Sequence, residues 1–197
     1  MIKKYPSINK WQSQISDLSK CLSSLSVNSL DSQLLEVEQA FSLWQEKTIS
    51  IRENSKTVFF IGNGASASMA SHISADMCKN AHIHTEVFTD LSQITAVAND
   101  LGYDQVFSVP LSFRMKKDDM LVVISSSGES PNVLNAVEIA KKADGYVVTL
   151  SAMNPNNNLR RSGDLNFWVP ADAYGLAETS HAAILHHWMD MMAEIAI

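Results

Sequence analysis

The chain has 197 residues, of which 46% are apolar and 18% charged, and its formal net charge is −6. This length can bury a sizeable core in one domain, or in one domain with a helical appendage, and the composition excludes a disordered chain. The negative charge argues against a protein whose main task is to neutralise nucleic-acid phosphates.

Cysteine usage and apolar runs exclude several other classes. The two cysteines, Cys21 and Cys78, have no spacing that indicates a disulfide framework or a structural zinc site. Lys3 and Lys4 are not followed by an apolar segment, so we expect no signal peptide. The longest apolar runs are far too short to span a membrane. We therefore expect a cytoplasmic protein without a membrane or direct nucleic-acid partner.

The first quarter of the chain is predicted to form two helices. Apolar residues recur at spacings of three and four from Ser7 to Leu25, and again from Leu30 to Ile51. Such spacing is typical of helices with one narrow apolar face, joined here by a short turn. We expect a helical hairpin within residues 1–55 that packs on its own domain, on neighbouring subunits, or on both.

From Thr57 onwards, short apolar strands alternate with helical segments. The five strand candidates are Thr57–Ile61, Thr85–Phe88, Met120–Ile124, Tyr146–Leu150 and Asn166–Val169. Strands separated by helices predict right-handed βαβ units and a parallel sheet. We therefore expect an α/β unit over residues 56–197.

Two loops at the ends of these strands have the composition of an anion site. The glycine turn, Gly62–Ser66, precedes one helix, and the serine loop, Ser125–Ser130, precedes another that starts with Pro131. Ligands of open parallel sheets bind at the carboxyl ends of the strands, and hydroxyl and N–H groups at a helix start suit a phosphate. The glycine spacing also matches a dinucleotide fingerprint, but the serine loop favours a phosphorylated small molecule.

Candidate metal ligands and acid–base groups lie on two predicted helices. His72 and Asp76 are four residues apart on the helix after the glycine turn, so they share a face. The last helix adds Glu178, His181, His186 and His187. His and carboxylate are common metal ligands, although one pair at this spacing is more often a surface interaction. Glu178 and His186 lie roughly 12 Å apart along a straight helix, so they cannot pair side by side.

Four segments carry a resemblance to a known family. They are GNGASASMASHISAD, DLSQITAVANDLGYDQVF, DDMLVVISSSGESPNV and AETSHAAILHHWMD. On these segments the chain from Phe59 onwards resembles the sugar isomerase (SIS) domain and, within it, the phosphoheptose isomerase group. The resemblance implies a flavodoxin-like three-layer α/β/α sandwich with a parallel five-stranded sheet. It also implies N-terminal helices used in assembly and a homotetramer.

The resemblance implies roles for individual positions. The positions that match substrate-binding residues are Asn63, Gly64, Ala65, Ser66, Asp76, Asn99, Asp100, Ser125, Ser126, Ser127, Ser130 and Glu178. The positions that match zinc ligands are His72, Asp76, Glu178 and His186. The resemblance implies that Ser125, Ser126, Ser127 and Ser130 hold the phosphate and that Asn63 and Ser66 contact the sugar. Asp76 matches the catalytic base, and His186 matches the acid.

The implied reaction is aldose–ketose isomerisation of a phosphorylated sugar. The implied substrate is sedoheptulose 7-phosphate, which becomes a heptose 7-phosphate for surface-polysaccharide precursors. A base removes the proton next to the carbonyl to form an enediol, and an acid returns a proton to the adjacent carbon. Two alternatives stay open: a non-catalytic SIS-domain protein that senses a sugar phosphate or partners a replication initiator, and a nicotinamide-dependent enzyme.

Three positions depart from the residues that are usual in the family. Asp76 stands where Glu is common, Glu178 stands where Gln is common, and Glu129 places a carboxylate inside the serine loop. An extra anionic ligand should hold a divalent metal more tightly. Glu129 must point outward, or it will weaken phosphate binding.

Overall fold

The computed structural model describes residues 10–195. Its helices are α1 Trp11–Ser23, α2 Val37–Glu53, α3 Ala65–Ala81, α4 Leu91–Asp100, α5 Ser108–Arg114, α6 Pro131–Lys142 and α7 Tyr174–Glu194. Its strands are β1 Ser26–Ser29, β2 Leu34–Leu35, β3 Thr57–Gly62, β4 His84–Val87, β5 Met120–Ser125, β6 Tyr146–Ala152 and β7 Leu165–Val169. None of the helices in the described part of the chain is long and apolar enough to cross a membrane.

The five predicted strands form a parallel sheet. Their order across the sheet is β4-β3-β5-β6-β7, and every neighbouring pair among them is parallel. Counted along the chain, this is the 2-1-3-4-5 order of flavodoxin-like folds, so that prediction is confirmed. In such a sheet the strand order reverses between the first and third strands, which here are β3 and β5. The two predicted anion loops follow these two strands.

The sheet has seven strands, so the predicted count of five is wrong. β1 pairs antiparallel with β7, and β2 pairs antiparallel with β1. β1 lies in the predicted break between the two helices, and β2 lies where the spacing of Leu30 and Leu34 predicted the start of the second helix, which begins only at Val37. Leu30 and Leu34 are 48% and 69% exposed, so their spacing marks no buried helical face. Pairing with the open edge of β7 decides the local structure instead.

The two N-terminal helices are consequently joined by a β-hairpin, not by a short turn. The predicted start of the first helix at Ser7 lies outside the described residues, and α1 is described from Trp11. The division into residues 1–55 and 56–197 stays a prediction. Within the described structure, Cys21 of α1 is buried, and both α1 and α2 pack against α7 of the same chain.

Helices cover both faces of the sheet and form the expected three-layer sandwich. Side chains alternate along β3, because successive residues of a strand point to opposite faces. Val58 and Phe60 join a core shared with α2, α3 and α7, whereas Phe59 and Ile61 join a second core shared with α5 and α6. A buried parallel sheet of this kind leaves its loop edges as the natural place for a site.

Helix α7 is fixed firmly on the first of these faces. The indole ring of Trp188 stacks on Trp44 of α2 with the ring centroids 4.1 Å apart, and its N–H donates to the hydroxyl of Thr48 at 3.1 Å. Because α7 begins soon after the end of β7, its first turns lie near the carboxyl ends of the strands. Its middle turns pack against α3.

Candidate active site

The glycine turn leaves the end of β3 in a tight bend. A Cβ atom on Gly62 would lie 2.6 Å from Cβ of Ser66 and 2.9 Å from the carbonyl oxygen of Ile124. Only a residue without a side chain fits there without a shift of the backbone. Gly64 has a φ of +57° and directly precedes α3, which begins at Ala65. Gly62 thus allows the first turn of α3 to approach the end of β5.

The serine loop leaves the end of the neighbouring strand. Gly62 is paired with Ile124 in the register of β3 and β5, so the two loops start side by side. Gly128 has a φ of +66° and donates its N–H to the carbonyl oxygen of Ser125 at 3.2 Å, which closes the bend. Ser130 precedes α6, and its side chain makes no capping hydrogen bond within the described residues. Its hydroxyl is therefore available to a ligand.

A pocket of about 140 Å³ lies between the two loops and the start of α7. The predicted site residues that line it are Asn63, Ser66, Ser125, Ser126, Ser127, Ser130 and Glu178. Ile124 and Tyr174, which the sequence did not single out, complete its wall. Hydroxyls and the amino end of α6 converge there, an arrangement that suits an oxyanion such as phosphate.

Asn63 belongs to a hydrogen-bonded network that sequence reasoning missed. The hydroxyl of Tyr103 donates to Asn63 Oδ1 at 3.0 Å. The side-chain amides of Asn63 and Asn132 exchange hydrogen bonds of 3.0 and 2.9 Å. Asn132 is buried at the start of α6, where its Oδ1 also accepts the N–H of Val133. This network fixes the orientation of the Asn63 amide and connects the glycine turn to the helix after the serine loop.

Other predicted substrate-binding residues, namely Gly64, Ala65, Asn99 and Asp100, do not line this pocket. Gly64 and Ala65 contribute backbone at the start of α3. Asn99 and Asp100 are exposed at the end of α4, where Nδ2 of Asn99 donates to Oδ1 of Asp100 at 2.8 Å. Their contact with a substrate stays a prediction.

Helices α3 and α7 bring together three of the four predicted metal ligands. Nε2 of His72 lies 3.3 Å from Nε2 of His186 and 3.5 Å from Oδ2 of Asp76. One ligand atom from each of the three residues lies within 4.8 Å of the others. His186 Nδ1 is 2.8 Å from the carbonyl oxygen of Ala182. When Nδ1–H donates to that carbonyl, Nε2 keeps its lone pair and faces the cluster.

The spacing of these donors fits a tetrahedral metal. Two nitrogen ligands at about 2.1 Å from a zinc ion are separated by about 3.4 Å at the tetrahedral angle. The separations of His72 Nε2 from its two neighbours are close to this value. Two imidazoles and one carboxylate are also a donor set that zinc accepts. His72, Asp76 and His186 therefore fit a divalent metal, with one or more positions left for other ligands.

Glu178 is not part of this cluster among the described residues, and it lines the pocket instead. Helix α7 thus contributes Glu178 to the pocket and His186 to the cluster, as the spacing of the two residues along the helix indicated. The remaining surface histidines take no part: His82 ends α3 in a left-handed conformation, and His84 Nδ1 lies 3.1 Å from the hydroxyl of Thr57. His187 packs edge-on against Phe41 with the ring centroids 4.7 Å apart.

His181 is a fully buried titratable group on α7, between Glu178 and His186. Burial lowers its pKa to about 4, and a backbone group of Ser151 acts in the opposite direction without offsetting this. Neither ring nitrogen makes a well-formed hydrogen bond within the described residues. His181 is therefore neutral in the folded protein at pH 7 and anchors α7 to the sheet by packing.

Comparisons with known proteins agree with this geometry. The family model for the SIS domain matches residues 28–152. The chain belongs to the SIS domain family. It is 30% identical over 163 residues to a phosphoheptose isomerase of Helicobacter pylori, a match that covers 80% of this chain and 84% of the relative. The resemblance drawn from the four sequence segments is thereby confirmed.

Solved structures show the same relationship. A phosphoheptose isomerase from Francisella tularensis superimposes with a TM-score of 0.82 at 25% identity, covering 96% of this chain and 100% of the other. A phosphoheptose isomerase from Neisseria gonorrhoeae gives a TM-score of 0.79 at 25% identity, covering 92% and 96% of the two chains. The described fold is thus similar to folds of this family over nearly the whole chain.

The buried His181 predicts a loss of stability in mild acid. Below its ordinary pKa of 6.5, the unfolded chain takes up a proton that the folded chain excludes until about pH 4, so the free energy of unfolding falls as the pH falls through this range. The total loss amounts to at most about 3 kcal/mol. Urea unfolding at pH 7.5 and pH 5.5 gives the slope, which is the change in the free energy of unfolding per pH unit. This slope should be positive in the wild type and shallower in His181→Gln. An exposed control, His82→Asn, should keep the wild-type slope. Equal slopes in all three proteins would contradict the assignment.

Proposed function

We propose that this protein is an aldose–ketose isomerase that converts sedoheptulose 7-phosphate to a heptose 7-phosphate for surface-polysaccharide precursors. The observation that carries the proposal is a serine-lined pocket at the start of α3 and α7, with a His–Asp–His cluster farther along the same two helices. Phosphoheptose isomerases among its relatives support the reaction. One part of the site suits a phosphate, and the other holds groups that can move protons.

The serine loop is proposed to hold the phosphate of the sugar. Its hydroxyls and the amino end of α6 offer donors but no positive side chain, so binding relies on hydrogen bonds and on the helix terminus. Phosphate bound there provides remote binding energy that orients the sugar chain. Asn63, Ser66 and Glu178 line the same pocket and are proposed to contact sugar hydroxyls.

Asp76 is proposed as the base and His186 as the acid. Asp76 is partly buried beside His72, and a carboxylate in this position can remove the proton next to the carbonyl. His186 keeps Nδ1 bound to the carbonyl of Ala182, so Nε2 is the ring nitrogen that faces either the substrate or a metal, and it acts as the acid when it is protonated and not coordinated. Returning this proton to the adjacent carbon completes the isomerisation through an enediol.

His72, Asp76 and His186 are proposed to hold a zinc ion, with Glu178 as a further ligand by family resemblance. When bound, zinc would supply electrophilic stabilisation of the sugar oxygen that gains negative charge. The donor spacing described above supports this assignment. The carboxylate of Glu178 would have to reach the cluster from the pocket side of α7.

Assembly and location are further parts of the proposal. We infer a cytoplasmic homotetramer in which residues 1–55 contribute to contacts between subunits and residues 56–197 form the SIS domain. Trp11 and Ile15 on α1 are 73% and 44% exposed in the single chain, and Leu34 on β2 is 69% exposed. Burial of such apolar side chains is a common driving force for association.

A panel assay with metal analysis tests the function directly. We expect purified protein to carry about one equivalent of a divalent metal per chain and to isomerise sedoheptulose 7-phosphate in preference to five- and six-carbon ketose phosphates. Treatment with a chelator should abolish turnover, and added zinc should restore it. Metal-free protein that binds sugar phosphates without turnover would favour the non-catalytic sensor instead. Binding of a nicotinamide cofactor would revive the dinucleotide alternative.

Substitution of the two acid–base groups should remove turnover without unfolding the protein. We expect Asp76→Asn and His186→Gln to lower kcat by about 10² to 10⁴, the range for loss of a general acid or base. Asp190→Asn on the exposed face of α7 and His82→Asn are matched controls that should keep kcat. Thermal melts must show folded variants. Folded variants with wild-type turnover would refute the assignment.

Tyr103 should affect sugar binding through Asn63. Tyr103→Phe removes one hydrogen bond to Asn63 Oδ1, a loss worth about 1 kcal/mol, or about fivefold in KM. We expect kcat to change much less, because the acid–base groups are untouched. Tyr146→Phe, at the opposite end of the sheet, is the control and should leave KM unchanged. A Tyr103→Phe enzyme with wild-type KM would show that the network does not orient Asn63.

A further inference from the structure

Glu129 is the one carboxylate within the serine loop, and its partner lies in another loop. Oε1 accepts the backbone N–H of Asn158 at 2.9 Å, and Oε2 accepts Nδ2 of the same residue at 2.7 Å. Glu129 is exposed and does not line the pocket. The negative charge of Glu129 is therefore directed away from the place where a phosphate would bind.

The loop that carries Asn158 is itself firmly held against the serine loop. Leu159 donates its N–H to the carbonyl oxygen of Gly128 at 3.0 Å. The side chain of buried Asn157 lies so close to Gly128 that a Cβ there would be 2.0 Å from Asn157 Oδ1. Asn157 Nδ2 in turn lies 2.8 Å from the carbonyl oxygen of Asn154, which it can reach as a donor. The segment Asn154–Asn158 thus forms a stiff support behind the serine loop.

The two hydrogen bonds between Glu129 and Asn158 hold a part of the serine loop whose neighbouring residues line the pocket. The N–H of Glu129 donates to the hydroxyl of Ser127 at 3.3 Å, and Ser127 and Ser130 on either side both line the pocket. Fixing Glu129 at its carboxylate therefore fixes the backbone between two proposed phosphate ligands. Hydrogen bonds that involve a charged partner are stronger than neutral ones, which suits them to hold an exposed loop.

We propose that Glu129 is a positioning residue for the phosphate subsite, acting through a two-bond clamp on Asn158. This inference rests on the proposed function, since it takes the serine loop as the phosphate site. The clamp holds the serine hydroxyls in a binding geometry before the ligand arrives, which lowers the entropy lost on binding. The clamp also explains why an acidic residue stands in a loop that is proposed to bind an anion.

A donor–acceptor exchange across the clamp tests the proposal. Glu129→Met removes both acceptors with little change in side-chain length, and Asn158→Asp places two carboxylates opposite each other. Glu129→Gln alone can keep both bonds once the Asn158 amide turns over, so it serves as a conservative variant. The double variant Glu129→Gln/Asn158→Asp restores both hydrogen bonds with one of them reversed, because Gln Oε1 can accept the backbone N–H and Gln Nε2 can donate to Asp Oδ. Glu138→Gln on the exposed face of α6 removes one negative charge without touching the clamp.

The readouts are KM and kcat for the sugar phosphate, and the inhibition constant of inorganic phosphate. We expect Glu129→Met and Asn158→Asp each to raise KM and the phosphate constant about five- to tenfold with kcat within about twofold, which is the loss of one or two hydrogen bonds in ground-state binding. Glu129→Gln alone should stay within about twofold of the wild type. The double variant should return both constants to within about twofold of the wild type. Glu138→Gln should leave them unchanged or slightly lower.

Three outcomes would overturn the clamp. Glu129→Met and Asn158→Asp proteins with wild-type constants would show that Glu129 does not position the loop. A lower phosphate constant in Glu129→Met, matched by Glu138→Gln, would show that only charge matters. A double variant that does not recover the constants lost in Asn158→Asp would show that the two hydrogen bonds do not hold the loop. Failure of the proposed function would be seen separately, because the wild-type protein would then turn over no sugar phosphate. In that case the thermal stabilisation of wild type and variants by inorganic phosphate would still test the clamp.

Discussion

The candidate site depends on the parallel pairing of β3 with β5. This pairing is the point where the strand order of the sheet reverses, so the crossovers on its two sides diverge and leave a crevice. Both anion loops start at this crevice because Gly62 and Ile124 are register partners. The close approach of Ser66 to Gly62 keeps the crevice narrow. Loss of this pairing would separate the glycine turn from the serine loop, and no pocket would form between them.

A second constraint, the packing of α7 on α3, adds the chemistry to the crevice. Trp188 and His181 are buried on one face of α7, and other faces of the helix present Glu178 to the pocket and His186 to His72. The helix rise places these two presented groups roughly 12 Å apart along the axis. A ligand that reaches both must therefore be extended, with its anion at one end. An open-chain sugar phosphate meets this requirement, whereas inorganic phosphate does not.

Local sequence patterns predicted the parts of the fold and site that depend on local chemistry. Apolar runs gave the five parallel strands, and glycines and serines gave the two loops, because strand burial and tight turns impose their own residue types. The β1–β2 hairpin was missed because pairing with β7 overrode the helical spacing of Leu30 and Leu34. The partners of Asn63 were missed for a similar reason. Tyr103 and Asn132 lie 40 and 69 residues away, and no spacing rule links them.

The three departures from the family pattern have different physical consequences. Asp76 still joins the His72–His186 cluster, so one fewer methylene group does not remove it from the donor set. Glu129 accepts two hydrogen bonds from Asn158 and does not line the pocket. Glu178 is the departure that remains inside the pocket, together with the serines. A carboxylate there repels a phosphate but accepts sugar hydroxyls well, since it is an acceptor only. In the proposed function, the phosphate therefore lies against the serine loop and the sugar chain lies toward α7, which gives the proposed direction of substrate binding.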